Sequence, residues 1–200
     1  MTTNNELRIE GGRHMLTELV VDTCIPNDTV MAPDAGRIQV ITGPNFSGKS
    51  CYAKQVGIIV LLAHIGSFVP AAKALVSAML RSATSRSLCL IDEFGKGTLS
   101  NDGVGLLCAT LRHFVQQEQP SKVIACTHYS QVLDERFLPR HMLLSFFTMN
   151  VLVDKVDGDH EEVSDSDIVF LYRLVPGYAA PSFASVQDFL QSMNRAVKHQ

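Results

Sequence analysis

Gly43-Pro44-Asn45-Phe46-Ser47-Gly48-Lys49-Ser50 follows the pattern G-x-x-x-x-G-K-[ST] of a phosphate-binding loop. Each fixed residue has a physical task. Gly43 and Gly48 let the backbone curl, so that successive N–H groups face one anion. Lys49 carries a point charge toward the outer phosphates. Ser50 offers a hydroxyl to Mg²⁺ and opens a helix whose positive end faces the anion. Arg37-Ile38-Gln39-Val40-Ile41-Thr42 reads as a short β-branched strand before the loop, and Val56 to Leu62 as a buried helix after it. Strand, loop and helix together are the context the motif requires. The pattern alone arises by chance about once in a hundred chains of this size.

A second segment completes the chemistry. Leu88-Cys89-Leu90-Ile91-Asp92-Glu93 is an apolar strand ending in two carboxylates. In a parallel sheet, ligands bind beyond the carboxyl ends of the strands. Asp92 would then stand beside the loop, where a carboxylate holds Mg²⁺ directly or through water. Glu93, one residue on, is placed to polarise an attacking water. On its own such a strand reads as one that ends in solvated charges; the phosphate loop upstream reverses that reading. Lys122 to Thr127 is a further strand, ending at His128. A histidine there either contacts the γ-phosphate or is a strand-end residue satisfied by water, and both readings stand.

The composition is that of a globular chain: 46% hydrophobic, 18% charged, net charge −3 and pI near 6.1. The 200 residues suit one domain with a sizeable core. No Lys/Arg cluster occurs, which argues against a free-standing nucleic-acid binder. The cysteines Cys24, Cys51, Cys89, Cys108 and Cys126 form no C-x-x-C pair and read as reduced thiols rather than metal ligands. Cys51, directly after the loop, reads either as a packed helix residue or as a thiol open to alkylation near a nucleotide. The polar start Met1-Thr2-Thr3-Asn4-Asn5-Glu6 carries no signal-peptide pattern, and the longest apolar stretch, Val56 to Val69, is too short to span a bilayer, so no membrane is expected.

Residues 1–36, with turn signals at Gly11-Gly12, Pro26-Asn27-Asp28 and Pro33-Asp34-Ala35-Gly36, are expected to supply short strands leading in to the loop. Helices are expected over 50–65, 73–85, 104–117 and 131–138, and strands over 37–42, 88–92, 122–127, 143–153 and 168–175. Residues 95–103 read as a turn-rich loop. The carboxylate-rich stretch 154–167 lacks EF-hand ligand spacing and reads as a solvated hairpin loop rather than a Ca²⁺ site. Alternating strands and helices give an α/β domain with a largely parallel core sheet flanked by helices.

The wording of these segments resembles one family. Gly11-Gly12-Arg13-His14, Pro26-Asn27-Asp28-Thr29, the loop from Thr42 to Ser50, Gly66 to Ala71, Leu90 to Thr98, Asp102-Gly103 and Ala125-Cys126-Thr127-His128-Tyr129 are similar, in this order, to the ATPase domain of the MutS mismatch-repair and recombination proteins. The resemblance covers about residues 8–185 and implies an ABC-type P-loop NTPase. Residues 1–36 would be a lead-in, 37–185 the ATPase domain and 186–200 a truncated tail. Phe46-Ser47 and Phe94 look most like the fifth eukaryotic, meiotic homologue.

The resemblance implies ATP and Mg²⁺ as cofactors. Gly43, Pro44, Asn45, Phe46, Ser47, Gly48, Lys49 and Ser50 would hold the phosphates. Ser50 and Asp92 would bind the metal, Glu93 would activate water, and His128 would sense the γ-phosphate. The loop from Gly95 through Asp102 would approach a partner subunit's nucleotide. Tyr172 would stack on adenine. It further implies a nuclear protein that couples ATP hydrolysis to DNA clamping in meiotic recombination and mismatch repair, with the fourth MutS homologue as partner and double-stranded or branched DNA as target of the full-length family. This chain departs from the family pattern. Only Ala72 to Arg86 connects two segments between which the family carries a further stretch, including the Ser-Thr-Phe-Met signature that closes over the partner's ATP. A splice product, gene fragment or partial gene model, internally truncated near 72–86, is expected. The loss would leave an unpaired sheet edge. The alternative function is a nucleotide- or partner-binding fragment that does not hydrolyse.

Overall fold

The computed structural model describes residues 5–14, 17–34, 36–64, 83–94, 100–153 and 168–177. In chain order these form β1 (Leu7–Gly12), β2 (Asn27–Met31), β3 (Ile38–Thr42), α1 (Lys49–His64), β4 (Leu88–Asp92), α2 (Ser100–Val115), β5 (Lys122–Cys126), a 3₁₀ turn at Ser130–Leu133, β6 (Leu144–Val153) and β7 (Ile168–Pro176). β1 and β2 pair antiparallel as a separate ribbon. The other five strands make one sheet in the order β4-β5-β3-β6-β7, parallel except for β7, which runs antiparallel to β6.

Burial explains this order. Every residue of β3 and β5 is buried, as central strands covered on both faces must be. Side chains alternate between the faces. Val123 and Ala125 of β5 pack with Val40, Ile91 and the α2 stripe Val104, Leu107, Cys108, Leu111 and Phe114. Ile124 and Cys126 pack on the opposite face with Ile41, Met149 and α1 residues Tyr52, Ala53 and Val56. The α2 stripe repeats at helical spacing, and Asp102 in its first turn and Arg112 and His113 in its last complement the helix dipole. Among the described residues the result is an α/β layer structure with one helix on each face of a mostly parallel sheet.

The expected strands over 37–42, 88–92, 122–127, 143–153 and 168–175 and the helices at 50–65 and 104–117 all form, within a few residues at their ends. Two expectations differ, and a third falls mostly outside the described residues. Residues 100–103 are the first turn of α2 rather than loop; Asn101 and Asp102 suit a helix amino terminus, where exposed N–H groups favour polar and acidic side chains. Residues 131–138 form no α-helix. The backbone turns extended at Asp134, whose carboxylate accepts the Arg136 backbone N–H at 2.9 Å, a local bond that competes with helical pairing. Of the helix expected over 73–85, residues 73–82 lie outside the described residues, and 83–87 form a turn. The acidic stretch 154–167 and residues 95–99 of the expected loop also lie outside them.

At the amino end of the parallel strands, Arg37 is buried with no carboxylate partner among the described residues. Its guanidinium donates instead to the carbonyls of Pro120, Ser85 and Asn5, tying three segments together. Beside it, Lys122 donates to Asn5 Oδ1 at 2.6 Å. Burial, reinforced by the charges of Arg37 and Arg86, pulls the Lys122 ammonium from 10.5 down to about 8. The folded state therefore releases the Lys122 proton before the unfolded state does. Stability from this group rises as pH passes from about 8 toward 10.5, because the unfolded chain binds the extra proton. Over that window the parent is expected to gain stability relative to Lys122→Met in urea titrations; parallel pH curves for the two proteins would show that Lys122 is not desolvated as described.

Candidate functional site

The parallel register brings three strand ends to one level. Asp92 pairs with Cys126, and Ile41 also pairs with Cys126. The loop after β3 therefore opens beside the carboxyl ends of β4 and β5. Gly43 and Gly48 take φ of 144° and 99°, values that favour glycine, and Phe46 takes 63°. A Cβ on Gly48 would lie 2.9 Å from Cδ1 of Tyr172, so this glycine is also needed for space.

Lys49 begins α1 and folds back under the loop. Its Nζ donates to the carbonyls of Gly43 and Pro44, both at 2.8 Å. An ammonium has three donors, so among the described residues one remains for a ligand. Burial holds Lys49 below the ordinary lysine pKa, against the upward pull of neighbours that include Glu93 and Asp92. Cys126 donates its thiol to the Lys49 carbonyl at 3.4 Å, fastening the first turn of α1 to β5. Ser50 Oγ donates to Asp92 Oδ1 at 2.9 Å. This hydroxyl–carboxylate pair supplies the hard oxygen donors that a divalent cation such as Mg²⁺ takes. Glu93 follows with φ of 48°, its N–H held by the Cys126 carbonyl at 3.0 Å.

Lys49, Ser50 and Glu93 line one cavity of about 500 Å³. Asn45, Phe46, Gly48, Cys51, Tyr52 and Gln55 line it from the loop and α1, residues of the 17–27 segment close another side, and Met149 and Tyr172 complete it. That volume lies in the range of small-molecule sites.

Known proteins match this chain over the same region. The family profile of MutS domain V matches residues 39–79 and 74–189. The chain belongs to the MutS family. It is 32% identical over 209 residues to the DNA mismatch repair protein MSH3 of Arabidopsis thaliana, covering 89% of this chain and 19% of that protein. It is 34% identical over 216 residues to the DNA mismatch repair protein MutS of Rhodopirellula baltica (92% and 23%) and 32% identical over 212 residues to human Msh3 (88% and 18%). The chain thus spans about a fifth of the length of these relatives.

Within this MutS-family chain, the loop residues, Ser50, Asp92 and Glu93 come together as the sequence places them. Asp92 reaches the cavity through Ser50. His128 stands just past β5 with its ring 4.4 Å from that of Tyr129, and it is not part of the cavity lining. Tyr172 does line the cavity, and its ring lies over Gly48. It sits in a bulge: β6 advances from Met149 to Val151 while β7 runs from Leu174 to Phe170, and Tyr172 takes φ of 50°.

Asn27 was not singled out as a site residue, yet it holds this bulge in place. Its Nδ2 donates to the Tyr172 carbonyl at 3.0 Å, and its Oδ1 accepts from the Leu174 N–H at 2.7 Å. One side chain thereby does the work of a neighbouring strand, and it carries Tyr172 to the cavity. Thr17, Val21, Thr23, Cys24 and Ile25 were also missed, because nothing local marks a lead-in segment as a cavity wall. Gln55 is buried, lines the cavity, and its Nε2 has no hydrogen-bond partner among the described residues. Two unpaired polar groups would be left if Asn27 lost its amide. Asn27→Leu is expected to lower stability by about 2–4 kcal/mol in urea titrations and to increase acrylamide quenching of Tyr172 fluorescence, read in a background where the other tyrosines are phenylalanine. Unchanged quenching would show that Tyr172 does not depend on this bridge.

Proposed function

We propose that this chain binds ATP with Mg²⁺ at the carboxyl end of its sheet and serves as the nucleotide switch of a MutS-type DNA-repair protein. The observation that carries the reading is the convergence of a buried lysine, a hydroxyl–carboxylate pair at 2.9 Å and a second carboxylate on one cavity of about 500 Å³. In this reading Lys49 turns its remaining N–H to the outer phosphates, while the loop N–H groups and the start of α1 hold the phosphate oxygens. Ser50 and Asp92 hold the metal. Bound Mg²⁺ would neutralise charge on the β- and γ-phosphate oxygens. Glu93 orients and polarises the attacking water. Tyr172 offers its ring face to the adenine, and His128 senses the γ-phosphate from the end of β5.

The similarity to MSH3 and bacterial MutS supports mismatch repair as the setting. Phe46-Ser47 and Phe94 are the residues that favour the meiotic branch, and with it recombination intermediates, nuclear location and the fourth homologue as partner. A second reading rests on the short connection from Ala72 to Arg86. Without the family's closing signature, the chain is a fragment that holds nucleotide or docks on a partner and does not hydrolyse.

Lys49→Ala removes a charge-assisted phosphate contact worth about 1.5–3 kcal/mol. Mg-ATP affinity by calorimetry is therefore expected to fall by roughly 10- to 150-fold, and equal affinity of variant and parent would sink the assignment. Single-turnover assays with a full-length partner are expected to show a rate that Glu93→Gln lowers about 100-fold or more, with the loss in turnover rather than in affinity. Rapid multiple turnover by the chain alone would rule out the second reading.

A further inference from the structure

The five cysteines fall into two classes. Cys89, Cys108 and Cys126 are buried in the two core clusters. Burial pushes the Cys89 thiol up to about 11 and raises those of Cys108 and Cys126 as well, so all three stay protonated and closed to reagents. Cys24 and Cys51 are only partly buried, and both line the cavity described above. They come from different walls: Cys51 from the first turn of α1, next to Ser50, and Cys24 from the segment leading to β2. Cys51 Sγ contacts Thr17 Oγ1 at 3.6 Å, a weak sulfur hydrogen bond that a reagent can displace. Every accessible thiol among the described residues thus opens into the one cavity that also contains Lys49, Ser50 and Glu93.

We propose that Cys51, with Cys24 on the adjoining wall, is a thiol-modification site at which a mixed disulfide with a small thiol excludes nucleotide. The nucleotide half of this statement rests on the function proposed above. The chemistry is thiol–disulfide exchange. The Cys51 thiolate attacks one sulfur of oxidised glutathione, a Cys51–glutathione disulfide forms, the original disulfide breaks, and the leaving glutathione thiolate takes up the proton that Cys51 released. The added tripeptide occupies the space between α1 and the 17–27 segment. Ser50 and Lys49 then lie beneath it, and a nucleotide cannot reach them. Reduction by a dithiol reverses the step. The core thiols take no part, so the device leaves the sheet intact.

The test uses the purified, reduced chain. Oxidised glutathione is added with and without Mg-ATP, and each cysteine is followed by peptide mass mapping; binding of a fluorescent ATP analogue is measured before treatment, after it, and after dithiothreitol. Cys51 is expected to be modified at least tenfold faster than Cys89, Cys108 or Cys126, with Cys24 next. Mg-ATP at about ten times its dissociation constant is expected to slow Cys51 modification about tenfold, since only the empty site reacts. Modified protein is expected to lose at least tenfold in ATP affinity and to regain it on reduction. In Cys51→Ser, with Cys24→Ser added if needed, the ratio of affinities before and after treatment is expected to return to one. Core thiols reacting as fast as Cys51, or modified protein binding ATP with unchanged affinity, would overturn the proposal. Failure of the reduced chain to bind Mg-ATP would overturn the nucleotide reading instead, and the order of thiol labelling would then decide the modification site by itself.

Discussion

The parallel pairing of β3 with β5, and of β5 with β4, is the constraint from which the site follows. A parallel register fixes which strand ends lie side by side. Here it sets Asp92, Cys126 and Ile41 at one level. The phosphate-loop geometry begins one residue past Thr42, and the two carboxylates arrive at the same edge from β4. Central strands of this kind need apolar cover on both faces, and α1 and α2 provide it. Slipping β4 by one residue would turn Ile91 out of the core and carry Asp92 away from Ser50. Core packing and site geometry therefore depend on the same pairing.

Lys49 shows how that constraint reaches the electrostatics. A buried ammonium is costly unless its donors are satisfied. Two carbonyls of its own loop accept from it, and Glu93 and Asp92 lie close enough to favour its charged form. The Cys126 thiol, kept protonated by burial, donates to the Lys49 carbonyl and so links the central sheet to the start of α1. The charge at the loop is thus held by the strand that also holds Glu93. Arg37 at the opposite end meets the same problem with carbonyls as its acceptors among the described residues, and there it joins chain segments.

Features marked by local spacing were legible in the sequence. The loop, its flanking strand and helix, and the Asp92-Glu93 strand end each announce themselves within a few residues, and the structure assembles them as expected. Features that depend on distant partners were not. Asn27 lies far along the chain from Leu174, and nothing near it shows that its amide will stand in for a strand. The cavity wall at 17–27 carries no periodic pattern. A helix is expected over 131–138, but there the Asp134 carboxylate offers the Arg136 N–H a nearer acceptor. Tyr172 was reached through family resemblance rather than through its surroundings, and the bulge that aims it could not be read from β7 alone.

The placement of strain ties these strands of argument together. Four residues other than glycine adopt positive φ among the described residues: Asn5, Phe46, Glu93 and Tyr172. The last three all line the cavity. Such conformations cost on the order of 1–3 kcal/mol each and persist only where surrounding structure over-determines them. Here the determinants are visible. Glu93 is pinned by the Cys126 carbonyl, Tyr172 by the Asn27 amide and by its contact with Gly48, and Phe46 by the curl between the two loop glycines. The restraints on Glu93 and Tyr172 originate in the sheet or in the β2 segment beside it, and that on Phe46 in the loop itself. The rigid layers thus hold the cavity-lining residues in orientations that the local chain would not choose, so that the groups converging on the cavity are fixed before any ligand arrives.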